Sequence, residues 1–232
     1  MKNIVDYKNI HKGKRCFIVG NGPSVKIEDL DVLHENNEIC FGFNTVFRVF
    51  DRTKWRPTYY CVADPHFISE MGKTIAALPI EDIFFLKWPK RFYPDNVHVV
   101  NFDKQVFYPN LPEFSEDISK VAYWGGCVVY DLGFQLSYFM GFSEVYVIGI
   151  DNTYINAAID TRNHFIDNYF EDIDNFSFKV PWTERRAMEN TLGYRKAEHF
   201  SRTHGFRIYN ATRGGAVKEF ERVNFDDLFS KK

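Results

Sequence analysis

Short apolar runs recur along the chain and constrain its fold more than any other feature of the sequence. Each run has four or five residues and is rich in aromatic and β-branched side chains. Polar residues do not alternate with apolar ones inside the runs, which is typical of strands covered on both faces of a parallel sheet. We therefore predict buried strands at residues 16–19, 39–43, 59–63, 83–86, 97–100, 145–148 and 206–209.

Two segments between these runs predict helices. Residues 127–140 and 183–204 carry apolar side chains at helical spacing, and each is followed directly by a glycine, Gly141 or Gly205. The alternation of strands and helices predicts a single α/β domain with a doubly wound, mostly parallel sheet and helices on both faces. Residues 152–181 are polar, aromatic and weakly periodic, so we expect a long substrate loop or lid there.

The charge balance limits the partners of the chain. Its 232 residues carry 29 Lys+Arg and 31 Asp+Glu, for a formal net charge of −2. Proteins that bind nucleic-acid phosphates usually carry an excess of positive charge, and this chain has none. We therefore expect no nucleic-acid partner. One domain over residues 1–232 is long enough to bury a core without disulfides or metal. Aromatic residues make up 18% of the chain, and we expect some of them to form the floor of a binding site.

The cysteines and the N-terminus predict a cytoplasmic protein. The cysteines lie in apolar runs and form neither a CxxC pair nor a Cys/His zinc pattern, which indicates reduced core residues: Cys16, Cys40, Cys61 and Cys127. Residues 1–13 are polar, so we expect them to be flexible, and they contain no signal-peptide segment. No apolar run reaches the roughly 18 residues of a transmembrane helix. The sequence leaves open a peripheral membrane contact and a homo-oligomer.

The first strand ends in a glycine-rich turn, which is the strongest local signal for a ligand site. In a parallel sheet such a turn lies where nucleotides bind, and its glycines allow close backbone approach. The N–H groups of a following helix could then hold an anion. The alternative interpretation is a tight turn with a structural role only. The predicted nucleotide-binding residues of this turn are Gly20, Asn21, Gly22, Pro23 and Ser24.

Polar residues at other strand ends extend the predicted site along the same edge of the sheet. Asn44 ends the second run and Asp64 the third, and both could bind a base or ribose, although such residues also simply make turns. Gly125 and Gly126 precede the helix at 127–140 and could accommodate an anion, with close strand–helix packing as the alternative.

The chemistry is predicted to come from the segment after the 145–148 strand. Asp151 could bind a hydroxyl or a metal, and Tyr154 could contact a phosphate oxygen. His164 has an ordinary pKa near 6.5 and could act as a general base, with Asp167 as its orienting partner. A loop residue with a packing role is the alternative for His164.

Several of these motifs together resemble a family. The residues that carry the resemblance are 19–24, 125–126, 135–142, 147–151, 164–165 and 208–216. They resemble the hydroxymethylpterin diphosphokinase-like proteins, which are related to the motility-accessory factors. The bacterial CMP-sialic acid sialyltransferases of glycosyltransferase family 42 are more distant relatives. The resemblance spans nearly the whole chain.

The sialyltransferase branch implies a Rossmann-like domain that binds CMP through the glycine-rich turn and a strand-end asparagine, without a required metal or cofactor. It implies that Tyr154 holds the leaving phosphate. The branch has a catalytic histidine shortly before the last helix, where a gapless alignment places Met188 and a gapped one places His164. We therefore expect a glycosyltransferase that uses a CMP-linked, sialic-acid-like donor and a glycan acceptor for surface polysaccharide, with His164, Tyr154 and Asp151 as catalytic residues.

Two alternatives remain open at the level of the sequence. The diphosphokinase branch implies transfer of diphosphate from ATP with Mg²⁺, which Asp64 and Asp151 could bind. A protein that kept the nucleotide site but lost the base would instead be a non-catalytic nucleotide-binding module, and Met188 at the expected histidine position fits that alternative.

Overall fold

In the part of the chain that the structure describes, the main sheet has eight strands, all of them parallel. The computed structural model describes residues 2–153, 164–166 and 184–230. In spatial order the strands are β10 (Glu221–Arg222), β9 (Arg207–Asn210), β8 (Glu144–Ile148), β1 (Arg15–Val19), β2 (Cys40–Phe43), β3 (Tyr59–Val62), β4 (Asp82–Leu86) and β5 (His98–Val100). Two further strands, β6 (Phe102–Asp103) and β7 (Ala122–Tyr123), form a separate parallel pair.

Helices cover both faces of the sheet. The α-helices are α1 (Ile27–Glu35), α2 (Pro65–Ala76), α3 (Gln135–Phe139) and α4 (Glu184–Thr203). A π-helix at Val129–Phe134 leads directly into α3, and 3₁₀ turns lie at Ile4–Tyr7, Val46–Val49 and Asp226–Leu228. No helix within the described ranges is long and apolar enough to cross a bilayer.

The alternation of side chains along β1 shows how the two faces are filled. Cys16 and Ile18 point into one core, which they share with α3 and α4, whereas Phe17 and Val19 point into the other, which they share with α1 and α2. Both sets are fully buried, which explains why the run is apolar at every position. The predicted doubly wound α/β fold is confirmed.

All seven predicted strands are present, but several elements were missed. The two-residue strands β6, β7 and β10 are too short to give a pattern. The helix α2 begins with Asp64-Pro65, which also reads as a turn. Here Asp64 caps the helix by accepting hydrogen bonds from the backbone N–H groups of His66 (2.7 Å) and Phe67 (3.4 Å), and proline is compatible with the first helical position.

The N-terminal segment, expected to be flexible, packs against the domain. Tyr7 is fully buried, and its hydroxyl bonds to the Asp82 carboxylate and to Nε2 of His98 (2.9 Å). The backbone N–H of Asn9 donates to the Phe139 carbonyl (3.0 Å), and that of His11 donates to the Met140 carbonyl (2.9 Å). The segment is mostly polar, so its sequence did not indicate that Tyr7 is buried and holds the segment against the domain.

The order of the strands creates a crevice beside β1. From β1 the chain winds through β2, β3, β4 and β5 on one side, and later returns to place β8 and β9 on the other side. The β1–β8 boundary is therefore the point at which the winding direction changes. Ligands of open α/β sheets bind at such a point, outside the carboxyl ends of the strands.

Two glycines allow the ends of β1 and β8 to approach each other. The N–H of Gly20 donates to the Ile148 carbonyl (2.8 Å), and the N–H of Gly22 donates to the Gly149 carbonyl (2.9 Å). A Cβ atom on Gly20 would collide with the Gly149 carbonyl. These glycines thus serve the contact between two strand ends, and their N–H groups are already engaged there.

We predict that Gly20→Ala destabilises the fold by about 1–3 kcal/mol or more, because the added methyl group would force two backbone segments apart. Urea denaturation measures the effect. The control is Gly72→Ala in α2, where a Cβ would lie 3.4 Å from the Phe85 ring, at ordinary contact distance. Helix propensity predicts that this variant is neutral or more stable. Equal stability of the Gly20 variant and the wild type would contradict the prediction.

We predict that Tyr7→Phe lowers the free energy of unfolding by about 1–3 kcal/mol, because it removes the hydroxyl that bonds to buried Asp82 and His98. For a domain of this size the melting temperature should fall by roughly 2–4 °C for each kcal/mol. Val5→Ala is the control, since Val5 lies on the same 3₁₀ turn and is 59% exposed. A flexible segment would make the two variants indistinguishable from wild type.

Candidate functional site

A cleft lies at the carboxyl ends of β1, β2, β3 and β8. Helix α4 and the N-terminal end of the π-helix form its other wall. The predicted site residues that line it are Gly20, Asn21, Gly22, Asn44, Asp64, Gly126, Asp151 and His164. The structure thus brings together residues that are far apart in the sequence, as the prediction of a common sheet edge requires.

Asn21 connects three parts of this cleft. Its side-chain Nδ2 donates to the Phe43 carbonyl at the end of β2 (3.1 Å), and its own carbonyl accepts a hydrogen bond from the backbone N–H of Phe165 (3.1 Å). Ile166, one residue further, is 3% exposed and belongs to the core on the α1 and α2 face. These contacts hold His164 beside the glycine-rich turn.

The environment of His164 keeps its imidazole neutral. Burial lowers the pKa of His164 to about 4, because a charged imidazolium would lose its hydration there. The ring is therefore unprotonated at neutral pH and able to accept a proton. This is the state that a general base needs.

Asp151 is a buried carboxyl group at the end of β8. It is 7% exposed, and Oδ2 accepts a hydrogen bond from the Ser24 hydroxyl (2.8 Å). Burial raises the pKa of Asp151, against the opposing effect of its bonds to Ser24. Ser24 thus acts on Asp151 and does not itself line the cleft. The carbonyl of Asp151 accepts from the Ala216 N–H (2.7 Å), which ties β8 to the segment after β9.

Asn44 and Asp64 also have structural roles at the edge of the cleft. Asn44 adopts a left-handed backbone conformation (φ +53°), and its carbonyl accepts a hydrogen bond from the Tyr60 hydroxyl. Asp64 uses Oδ1 as the cap of α2. The alternative of a turn-forming role is therefore realised for Asn44, Asp64 has a helix-capping role that was not predicted, and both residues still line the cleft.

At each of the two helix starts that we expected to hold an anion, a carboxylate of the chain accepts a hydrogen bond from one backbone N–H group. At the start of α1, Asp29 Oδ2 accepts from the N–H of Lys26 (3.0 Å) and from Arg213 (2.6 Å). Before the π-helix, the N–H of Gly125 donates to Asp131 Oδ1 (2.7 Å). At each place an acidic residue of the following turn therefore takes up one N–H group, and binding of a ligand anion at these helix starts stays a prediction.

Sequence analysis missed several residues of the cleft. Trp124, Phe43 and Phe67 contribute aromatic surface, as the aromatic excess had indicated without naming them. Asn152 directly follows the predicted Asp151, and its left-handed conformation (φ +50°) gave no pattern in the sequence. Asn190 and Tyr194 come from α4, and only the folded topology brings that helix to the end of β8.

The cleft has an unusual charge distribution for a phosphate-binding site. Its described lining includes two carboxyl groups, Asp64 and Asp151, and neither lysine nor arginine. Arg213 pairs with Asp29 and Asp226, and Arg185 pairs with Glu189 (3.0 Å). In the part of the chain that the structure describes, no three His, Cys, Asp or Glu residues cluster as a metal site.

Some predicted features lie outside the cleft or outside the described residues. Pro23 is exposed, and Gly125 does not line the cleft; a Cβ atom at Gly125 would collide with the Tyr130 ring. Tyr154, Asp167 and most of the predicted lid lie outside the described residues. The four cysteines are free thiols; Cys16, Cys40 and Cys61 are buried as expected for core residues, whereas Cys127 is half-buried and lines the cleft.

Comparison with solved structures identifies the fold. The MAf glycosyltransferase from Magnetospirillum magneticum AMB-1 superposes with a TM-score of 0.54 at 16% identity, over 99% of this chain and 38% of that one. The chain thus spans well under half of that protein. A mammalian sialyltransferase in complex with Gal-beta-1-3GalNAc-ortho-nitrophenol matches with a TM-score of 0.30 at 12% identity, over 73% of this chain and 67% of that one.

Sequence comparisons identify the family. No curated protein sequence matches the chain significantly. The family model described as 6-hydroxymethylpterin diphosphokinase MptE-like matches residues 1–157, which is more than half of the 232 residues. The chain therefore belongs to the MptE-like family.

Proposed function

We propose that the chain is a glycosyltransferase that binds a nucleotide-activated sugar in the cleft beside β1. The proposed donor is a CMP-linked, sialic-acid-like sugar, and the acceptor is a surface glycan assembled from the cytoplasm. The structural similarity to a MAf glycosyltransferase supports a transferase of this general type. The resemblance of the glycine-rich turn to that of the CMP-sialic acid enzymes supports the choice of nucleotide.

The composition of the cleft carries this proposal. Its described lining includes amides, carboxyl groups, a phenol and one neutral imidazole, but neither lysine nor arginine. A triphosphate would meet repulsion from Asp64 and Asp151 unless cations accompanied it. A CMP-linked, sialic-acid-like donor carries one phosphate and one sugar carboxylate, which is less negative charge than a triphosphate has. Its many hydroxyl groups can donate hydrogen bonds to amide and carboxyl oxygens.

The proposed reaction is a direct displacement at the anomeric carbon of the donor. An acceptor hydroxyl forms the new C–O bond while the bond from that carbon to the phosphate oxygen breaks, and CMP leaves with the electron pair. His164 takes the proton of the acceptor hydroxyl, for which its neutral state is required. Asp151 would bind donor hydroxyl groups, and Tyr154 would stabilise the leaving phosphate. Trp124, Phe43 and Phe67 would shield the reacting atoms from water.

A diphosphotransferase is the second candidate function, and one observation favours it. Asp64 and Asp151 line the same cleft, and Mg²⁺ is commonly held by one or two carboxylates together with nucleotide phosphates. The description of the family model also names a diphosphokinase. In this case Mg²⁺ would neutralise the charge of ATP, and the two carboxyl groups would be essential for binding.

We predict that CMP raises the melting temperature of the protein, and that EDTA leaves this increase unchanged. A ligand that binds only the folded state stabilises it by mass action. Asn44→Gly should weaken CMP binding by about tenfold or more, because it removes a cleft amide. Glycine tolerates the left-handed conformation of this residue, so the backbone should be preserved. Thermal shift and calorimetric titration measure the two effects.

The matched control is Asn37→Gly. Asn37 has the same left-handed conformation (φ +53°) but is exposed in the turn after α1. This variant should bind CMP like the wild type. If CMP has no effect and only ATP together with Mg²⁺ raises the melting temperature, the CMP proposal is refuted and the diphosphotransferase is favoured.

We predict that the kcat/KM for donor hydrolysis, in which water replaces the acceptor, stays nearly constant from about pH 7.5 to about pH 5.5. His164 must be neutral to accept a proton, and with a pKa of about 4 it remains neutral over this range. For a histidine with an ordinary pKa, the neutral fraction would fall about tenfold over the same range. His164→Gln should lower kcat by roughly 10²–10⁴-fold and leave CMP affinity within a few-fold.

A tenfold decline in kcat/KM toward pH 5.5 would show that the base is an exposed histidine elsewhere. An unchanged kcat in His164→Gln would exclude His164 as the base. Tight CMP binding without any turnover in wild type would favour the non-catalytic nucleotide-binding module.

A further inference from the structure

Two buried amide oxygens in the cleft have no hydrogen-bond partner among the described residues. They are Oδ1 of Asn152 and Oδ1 of Asn190. Their residues are only 6% and 5% exposed, and both line the cleft. Buried polar atoms in proteins are nearly always hydrogen-bonded, so each exception calls for a specific explanation.

The orientation of the Asn152 amide is fixed by α4. The Thr191 hydroxyl donates its proton to the Ala187 carbonyl (2.9 Å), so it can only accept a hydrogen bond from Asn152. The group facing it must therefore be the Nδ2 amino group, at 3.2 Å. This assignment leaves Oδ1 of Asn152 as the free end of the amide.

The Asn190 amide lies against a glycine that keeps the space beside it open. A Cβ on Gly126 would lie 3.1 Å from Oδ1 of Asn190. Gly126 also has a positive φ of +100°, which other residues rarely adopt. The backbone thus leaves a gap next to the oxygen.

Asn210 is another buried asparagine, and its side-chain amide has a structural role. Asn210 is 1% exposed; its Nδ2 donates to the Val217 carbonyl (3.2 Å), and its Oδ1 accepts from the Thr212 N–H (3.0 Å). Both ends of that amide are used within the fold. The free oxygens of Asn152 and Asn190 therefore do not reflect a general shortage of partners for buried asparagines.

We infer that Asn152 and Asn190 form an acceptor subsite that binds neutral N–H or O–H donors of the ligand. An amide oxygen attracts a donor and repels an anion, so this subsite takes an uncharged part of the ligand and not a phosphate or a sugar carboxylate. The inference rests on the proposed function, under which the donor group is either the exocyclic amine of cytosine or a ribose hydroxyl.

The test is Asn190→Leu, a substitution of similar size without polar atoms. Because an unpaired buried acceptor destabilises the ligand-free protein, its removal should raise the melting temperature by about 2–6 °C. The same variant should bind CMP at least about tenfold more weakly than wild type. Stabilisation together with lost affinity is a combination that a purely structural amide would not give.

Two control variants isolate the effect. Asn210→Leu removes an amide whose bonds are all satisfied, so it should lower the melting temperature. His199→Leu changes an exposed residue of α4 and measures the gain from helix propensity alone, which should be smaller than the gain in Asn190→Leu. Titration with CMP and UMP then identifies the donor group, because UMP has a carbonyl in place of the cytosine amine.

Each outcome is decisive. A loss of affinity for CMP alone assigns the subsite to the exocyclic amine, and an equal loss for CMP and UMP assigns it to the ribose. A melting temperature that falls as in Asn210→Leu, or unchanged CMP affinity, overturns the inference while the proposed function stands. Wild-type protein that binds neither nucleotide contradicts the proposed function, whereas a raised melting temperature in Asn190→Leu would still support an unpaired acceptor.

Discussion

The contact between the ends of β1 and β8 is the constraint on which the rest of the structure depends. The N–H groups of Gly20 and Gly22 donate to the carbonyls of Ile148, the last residue of β8, and of Gly149, and a side chain on Gly20 would prevent this approach. This contact closes the sheet where its winding direction changes and places Asp151 beside the turn. In the same turn, the Asn21 carbonyl accepts a hydrogen bond from the Phe165 N–H. The neutral His164 therefore lies in the cleft because this turn is held in place.

Much of the fold could be predicted because burial on both faces leaves a clear mark on a strand. Cys16 to Val19 are all apolar since each alternate residue enters a different core. Elements that depend on a single contact have no recognisable pattern in the sequence. The start of α2 rests on one carboxylate, Asp64, and the order of the N-terminal segment rests on one buried hydroxyl, that of Tyr7.

The site was only partly predictable for a related reason. Strand-end residues such as Asn44 and Asp151 follow from topology, because parallel strands end at one edge. Asp29 and Asp131 accept bonds from backbone N–H groups three and six residues away, which the sequence analysis did not foresee, and the amide of Asn190 reaches the cleft only through the packing of α4. The described lining of the cleft offers amide and carboxyl oxygens and neither lysine nor arginine, and this composition guides the choice of ligand.

Hydrogen–deuterium exchange with and without CMP tests the central claim most directly, because it reports where the nucleotide acts on the backbone. With EDTA present, we expect CMP to slow exchange in the Gly20 turn, in the segment after β8 and along α4 near Asn190. Protection confined to other surfaces, or protection that appears only with ATP and Mg²⁺, would contradict that claim.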